Sequence, residues 1–310
     1  MTVYSLSVRH GFLLIDKPLG KTSHDIVGEV RRVLGERSIG HLGTLDPAAS
    51  GLLVLAVGKK ALRVVELFED LTKEYEAQVM LGKISSTYDR EGVIETPPPR
   101  PGWEIPEQAT VQRTITDHFV GRISQVPPAY SAIKINGERA YKLARDGEEV
   151  KMAAREVEIS ACQILLYEYP SLSLRVACGS GTYIRSLAHD LGKLLWCGGY
   201  LSGLRRTKVG EWKVEDAVAP AEATWGKVMP LKDVLKDFPR RDLSNEEWDD
   251  IQHGRSIEAD VQPDTIGWKD DLPVAVLAPV AEGIAKGRKV FGARDDEKKP
   301  KIDLGEEIGI

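Results

Sequence analysis

Strand and helix patterns follow one another along this chain without the regular strand–helix–strand rhythm of a doubly wound sheet. That irregularity predicts an α+β fold with a mixed, largely antiparallel sheet flanked by helices. Residues 12–15 (FLLI) and 52–57 (LLVLAV) are short apolar runs that read as buried strands. Residues 73–81 (KEYEAQVML) alternate instead, which puts Tyr75, Ala77, Val79 and Leu81 on one face of a strand. Thr22 or Ser23 can cap a helix whose apolar side carries Ile26, Val27, Val30, Val33 and Leu34 and which ends at Gly35. Helices are also expected over 60–68, over 108–120 (Val111, Ile115, Phe119), over 138–146 and from about 183 to 196. Further strands are expected over 130–135, 156–167 and 172–178, whereas Ile39 to Gly51 has neither period and reads as loop.

Pro97 to Pro101 marks an exposed connection, and beyond about residue 240 the sequence turns acidic and strand-poor. The expected division is a large domain over 1–240 and a small module over 241–310. With 42% hydrophobic residues in 310, the chain can fill a real core. No stretch approaches eighteen consecutive apolar residues, and the start lacks the apolar region of a secretory signal. Cys162, Cys178 and Cys197 are odd in number and form no CxxC pair, which fits a reducing cytoplasm better than a disulfide framework.

The net charge of −5 hides an uneven distribution. Residues 1–66 carry nine Lys/Arg against six Asp/Glu and residues 161–213 seven against three, whereas 241–310 carry ten against seventeen. A locally basic face on a near-neutral body is compatible with a polyanionic partner. Several chemistries find no support: there is no HExxH, no zinc-like Cys/His spacing, no phosphate loop, no GxGxxG after a strand and no GxSxG. No metal, nucleotide or redox cofactor is called for.

Three places stand out. In Gly40-His41-Leu42-Gly43-Thr44-Leu45-Asp46-Pro47 the proline biases Asp46 away from the α region. A carboxylate on such an extended, glycine-flanked loop can serve as a nucleophile, although an Asx turn is the ordinary role of a lone Asp-Pro. In Lys73-Glu74-Tyr75 the tyrosine opens an alternating strand, either as packing or as an aromatic platform with a hydroxyl at its edge. In Gly179-Ser180-Gly181-Thr182-Tyr183-Ile184-Arg185 a glycine turn opens a helix. Arg185 sits on its first turn, the wrong end for a cation, so it needs an anionic partner. A plain salt bridge would meet that need as well as a functional one.

Taken in order, these segments resemble the TruB family of pseudouridine synthases. Gly11 to Ser23 (GFLLIDKPLGKTS) is similar to the family's opening motif and Gly40 to Gly51 (GHLGTLDPAASG) to its catalytic loop. Lys73-Glu74-Tyr75, Pro128 to Lys134 (PAYSAIK), Gly181 to Arg185 (GTYIR) and Leu204-Arg205-Arg206-Thr207 follow in family order, so the resemblance covers about residues 11–213. It implies a pseudouridine synthase fold with a PUA-like C-terminal module, and isomerisation of uridine to pseudouridine at position 55 in the T-loop of tRNA. It further implies a cytoplasmic enzyme that needs no cofactor and no guide RNA, with a monomer expected. Asp46 would be the nucleophile, attacking C6 or C1′ or assisting an elimination, with Arg185 offsetting the cost of burying its charge. Tyr75 would stack on the base and move a proton, while Leu204 would pack against the uracil with Tyr183 beside it. His41 would fill the gap left by the flipped base, and Arg205 and Arg206 would meet RNA phosphates. Lys17 is expected to anchor its turn through a buried ion pair, and Tyr130 to pack beneath the site. Ser85 to Asp89 (SSTYD) departs from the family pattern, keeping only the later acidic residue. A non-catalytic RNA-binding protein, a guide-RNA-dependent synthase and a plain α+β domain are the competing readings.

Overall fold

The computed structural model describes residues 10–292 except 99, 132, 136 and 146–149. The described residues fall into two compact units. The larger comprises Leu13–Ala56 and Phe68–Lys227; the smaller takes Val57–Leu67 and, of the described residues, 10–12 and 228–292.

The large unit is built on strands β1 (Gly11–Lys17), β2 (Ile39–Leu42), β3 (Ala49–Val57), β4 (Lys73–Leu81), β5 (Gly121–Gln125), β6 (Arg155–Glu168), β7 (Ser171–Cys178) and β8 (Gly199–Val209). Its long helices are α1 (Ser23–Leu34), α2 (Gln108–Phe119) and α3 (Ile184–Leu194). The sheet order is β1-β3-β8-β4-β7-β6-β5, with β2 on β3. β8 runs parallel to β3 and antiparallel to β4, and the pairs β4–β7, β7–β6 and β6–β5 are antiparallel. The sheet is thus mixed and largely antiparallel, as expected.

Local sequence accounts for the elements. Thr22 caps α1 in a reciprocal box with Asp25, and Gly35 closes it at φ 65°. The alternation in β4 buries Ala77, Val79 and Leu81 against Leu172, Leu174 and Val176 of β7. Val111, Ile115 and Phe119 of α2 and Ile184, Leu187, Ala188 and Leu191 of α3 complete this core. The expected 60–68 helix divides into Lys59–Val64 and a tighter turn over Val65–Phe68. The expected 130–135 strand shrinks to Lys134–Ile135, paired with Glu138–Arg139 ahead of a helix over Ala140–Arg145; Ala132 and Asp146 lie outside the described residues.

Two segments differ more. Ile39–Leu42, expected as loop, is a strand whose end residues Ile39 and Leu42 are buried. β8, which carries no clear strand pattern, is a central strand of the sheet. Its arginines sit there because each finds partners, so tertiary context overrides a poor local signal.

α3 reaches β8 through a sharp return in which Cys197 and Gly198 both donate their N–H to the Gly192 carbonyl. A Cβ on Gly192 would collide with the backbone of Gly198 and Gly199, and one on Gly199 would lie 2.6 Å from the Ala188 carbonyl oxygen. Neither obstacle is a flexible side chain. Gly192→Ala is therefore expected to destabilise the fold by about 3 kcal/mol, read by chemical denaturation. An unchanged midpoint would contradict this packing.

The smaller unit holds a five-stranded sheet, not the strand-poor module expected. Its strands are β9 (Arg240–Asp242), β10 (Ser256–Glu258), β11 (Thr265–Lys269), β12 (Leu272–Ala281) and β13 (Ile284–Val290), in the order β9-β11-β12-β13-β10. Leu243, Ile251 of α4 (Asn245–Gln252), Ile257, Ala275, Leu277 and Ala285 form its core. The sequence understated these strands because turn-forming Asp and Gly residues interrupt them; Asp264, Asp270 and Asp271 all take positive φ. The tail beyond Gly292 lies outside the described residues. Among the described residues no helix is long and apolar enough to cross a membrane.

Candidate active site

Asp46 occupies the loop between β2 and β3, and three anchors fix it. Ser23, buried at the start of α1, accepts a hydrogen bond from the Leu45 N–H and donates to the Leu45 carbonyl. Gly20 donates its N–H to Pro47, and Ala49 donates to the carbonyl of Asp46 itself. The opening motif therefore serves as the bracket of the Asp46 loop. Lys17 is wholly buried and donates to the Pro18 and Lys21 carbonyls, so the expected ion pair is replaced by backbone oxygens. Burial lowers its pKa, an effect the Asp46 carboxylate opposes.

Arg185 answers the question its helix position raises. Its Nη2 lies 2.9 Å from Asp46 Oδ2, and its Nη1 lies 3.5 Å from Asp89 Oδ2. Nη2 also donates to the Tyr130 carbonyl, so this residue supports the site through its backbone. The arginine side chain is 7% exposed, whereas that of Asp46 is 45% exposed. A buried cation thus holds an accessible carboxylate. Gln125 sets the position of Arg185 by gripping the Tyr183 backbone at both its N–H and its carbonyl, and Ser186 donates to the Val126 carbonyl. Asp89 is buried, its Oδ1 accepting from the Thr87 hydroxyl and the Glu91 N–H. Sequence reasoning gave Asp89 no role. The Ser/Thr/Asp run around it and the unmet need of Arg185 for anions were the available signals.

Asp46, Arg185 and Leu204 line one cleft, together with Ala48, Asp89 and Leu201. Leu204 stands on β8 opposite Ala49 of β3, and with Ala48, Ala49 and Leu201 it gives the cleft an apolar floor. Tyr75 is half-buried on β4 directly opposite Arg206 of β8. Burial pushes its phenol above the usual range, and the Arg206 guanidinium opposes that rise.

Tyr75 and the other expected site residues lie apart from the cleft lining. His41 is on β2, half-buried, its Nδ1 without a partner among the described residues. Tyr183 caps α3 with its ring 4.8 Å from the Arg155 guanidinium carbon. Arg205 makes a two-pronged pair with Asp16, at 3.0 and 2.8 Å. Arg206 is a correction: at 1% exposure, donating to the Leu52 and Gly43 carbonyls, it faces inward and is not placed to meet a phosphate.

Burial also lowers the pKa of His41 and His189 below the ordinary 6.5, with Arg206 and His24 adding to it at His41 and Lys193 at His189. The unfolded chain takes up these protons near pH 6.5, the folded chain only at lower pH. The unfolded state then binds more protons in that window, so stability present above about pH 6.5 is lost as the pH falls below it. Tm is expected to drop between about pH 7 and about pH 5, and His189→Phe should make the slope shallower. An unchanged slope would contradict this assignment. The ring stack of His189 on Tyr88, 3.9 Å between centroids, is one the phenylalanine can keep.

Comparison with known proteins gives the arrangement a family. Residues 31–184 match the N-terminal domain of TruB family pseudouridylate synthase, and residues 185–223 match the tRNA pseudouridylate synthase B C-terminal domain. The tRNA pseudouridine synthase B of Thermobifida fusca is 42% identical over 293 residues, covering 91% of this chain and 98% of that protein. The tRNA pseudouridine synthase B of Syntrophomonas wolfei is 44% identical over 259 residues, covering 80% and 85%. Among solved structures, a chain of a Cbf5–Nop10–Gar1 complex superposes with a TM-score of 0.69 at 24% identity, over 93% of this chain and 86% of that one. That likeness speaks for the fold. The sequence matches go further: the chain belongs to the TruB family of pseudouridylate synthases.

Proposed function

We propose that this protein isomerises uridine 55 in the T-loop of tRNA to pseudouridine, with Asp46 as the catalytic carboxylate. The reaction breaks the bond from ribose C1′ to uracil N1, turns the base, and joins C1′ to C5. Nothing is gained or lost, so the chain's own acid–base and nucleophilic groups suffice. The observation that carries this reading is the accessible Asp46 carboxylate held 2.9 Å from the buried Arg185 guanidinium at the edge of an apolar-floored cleft.

The target bond is out of reach in a stacked loop, so the nucleotide must swing out of the RNA, at a cost of a few kcal/mol. Leu204 and Leu201 would then take one face of the uracil and keep water from the carboxylate. Asp46 attacks the nucleoside or assists departure of the base, and Arg185 fixes the direction of its oxygens throughout. Tyr75 is a neutral phenol at pH 7, because burial raises its pKa. It enters as a platform for the base and a relay for its proton. The unpartnered Nδ1 of His41 suits a side chain that fills the space the base leaves.

Residues 1–240 would form the catalytic domain and 241–310 a PUA-like module, for which the five-strand sheet around α4 is the support. That module is acidic, so few phosphate contacts are expected from it. The RNA would be recognised mainly by shape, by a monomer acting in the cytoplasm without a guide RNA. The test is to incubate purified protein with an unmodified tRNA transcript and map pseudouridine by position. Product at the T-loop uridine supports the reading, and its absence with folded protein overturns it.

A further inference from the structure

Arg206 is a fully buried arginine whose partners belong to three separate parts of the fold. Its Nε donates to the Leu52 carbonyl on β3 at 2.7 Å, and its Nη2 donates to the Gly43 carbonyl in the Asp46 loop at 3.0 Å. On the other side, Tyr75 stands directly opposite it across the β4–β8 ladder, near enough for the guanidinium to oppose the rise that burial causes in the phenol's pKa. Paired residues on antiparallel strands share a face, so the guanidinium and the phenol are held together by the sheet itself.

Two glycines of the loop motif find their reason here. Gly51 pairs with Arg206 across the parallel β3–β8 ladder, and a Cβ there would collide with the Arg206 backbone. Gly43 has φ 69°, and a Cβ on it would stand 3.3 Å from Arg206 Nη1. The loop is stripped of side chains where the arginine enters.

We propose that Arg206 is the positioning residue that locks the Asp46 loop to Tyr75. This rests on the reading of Asp46 and Tyr75 given above. Arg185 holds the carboxylate, and Arg206 holds the loop backbone that carries it while standing opposite the Tyr75 phenol across the ladder. Lysine cannot replace it, because one ammonium lacks the planar fork that reaches several acceptors at once.

The test uses Arg206→Gln and Arg206→Lys in the full chain, with two readouts. First, turnover and KM are measured on a tRNA transcript, with affinity checked by filter binding. Both variants should lose at least a hundredfold in kcat, with KM and affinity within about threefold of wild type. Second, the protein is labelled with 3-fluorotyrosine and the Tyr75 resonance, assigned through Tyr75→Phe, is titrated by fluorine NMR. Arg206→Gln should move that titration to higher pH, because a cation beside the phenol is gone, while Arg206→Lys should move it less. A structural role alone would not separate the two variants in this way.

The titration needs no tRNA, so it stands or falls apart from the substrate reading. If Arg206→Gln does not fold, Gly43→Ala crowds the guanidinium more gently and should lower kcat with KM unchanged. Wild-type kcat in Arg206→Gln or in Gly43→Ala, or an unmoved Tyr75 titration in Arg206→Gln, overturns the proposal. So does a raised KM with unchanged kcat, which would make the arginine an RNA contact after all.

Discussion

Asp46→Asn is expected to lower the single-turnover rate of pseudouridine formation by about 10⁴-fold or more, with tRNA affinity kept within about threefold. Asparagine has the shape of aspartate and can still accept a hydrogen bond from Arg185, so the loop, bracketed by Ser23 and Gly20, has no reason to move. What is lost is the charge and with it the nucleophile. The carboxylate is one small part of a surface that would grip RNA through many contacts, so affinity should barely register the change. A rate within tenfold of wild type, or equal losses in rate and affinity, would count against the role given to Asp46.

Arg185→Ala should damage both rate and fold. The arginine bridges two carboxylates and reaches two further backbone oxygens, of Tyr130 and Thr87. Without it Asp89 keeps only the Thr87 hydroxyl and the Glu91 N–H, and a buried charge without its counterion costs about 3–5 kcal/mol. Turnover should fall by about 10³-fold, since the remaining carboxylate has no fixed direction. Arg185→Lys separates the two effects. One ammonium restores part of the charge balance and hence part of the stability, yet it cannot span both acids. Its unfolding midpoint should lie between those of wild type and Arg185→Ala while turnover stays at least a hundredfold down. Losses in tRNA affinity matching those in turnover would contradict this division of labour.

The elements that place the site differ in how plainly the sequence announces them. β4 and α1 are announced by period and by a capping box, both local properties of a few neighbouring residues. The need of Arg185 for an anion was legible from its place on the first turn of α3, where the helix field repels it. That Asp89 would be one of those anions was not, because the pairing joins residues far apart in the chain. β8 was hidden for a related reason. Its arginines break the apolar pattern of a central strand, and only Asp16, Leu52 and Gly43 make them tolerable there. The assignment of Arg206 to RNA failed on the same point: a charge in sequence does not say whether it meets solvent or buried carbonyls.

The carboxylate at 46 and the guanidinium at 185 are expected to act as one unit on the nucleoside. A double-mutant cycle on single-turnover rates, using Asp46→Glu and Arg185→Lys on one tRNA transcript, measures that coupling. If the two groups act together, the double variant should be about as slow as the slower single variant, because the first substitution already breaks the unit. If its rate loss instead equals the product of the two single losses, the groups act independently, which contradicts a shared role.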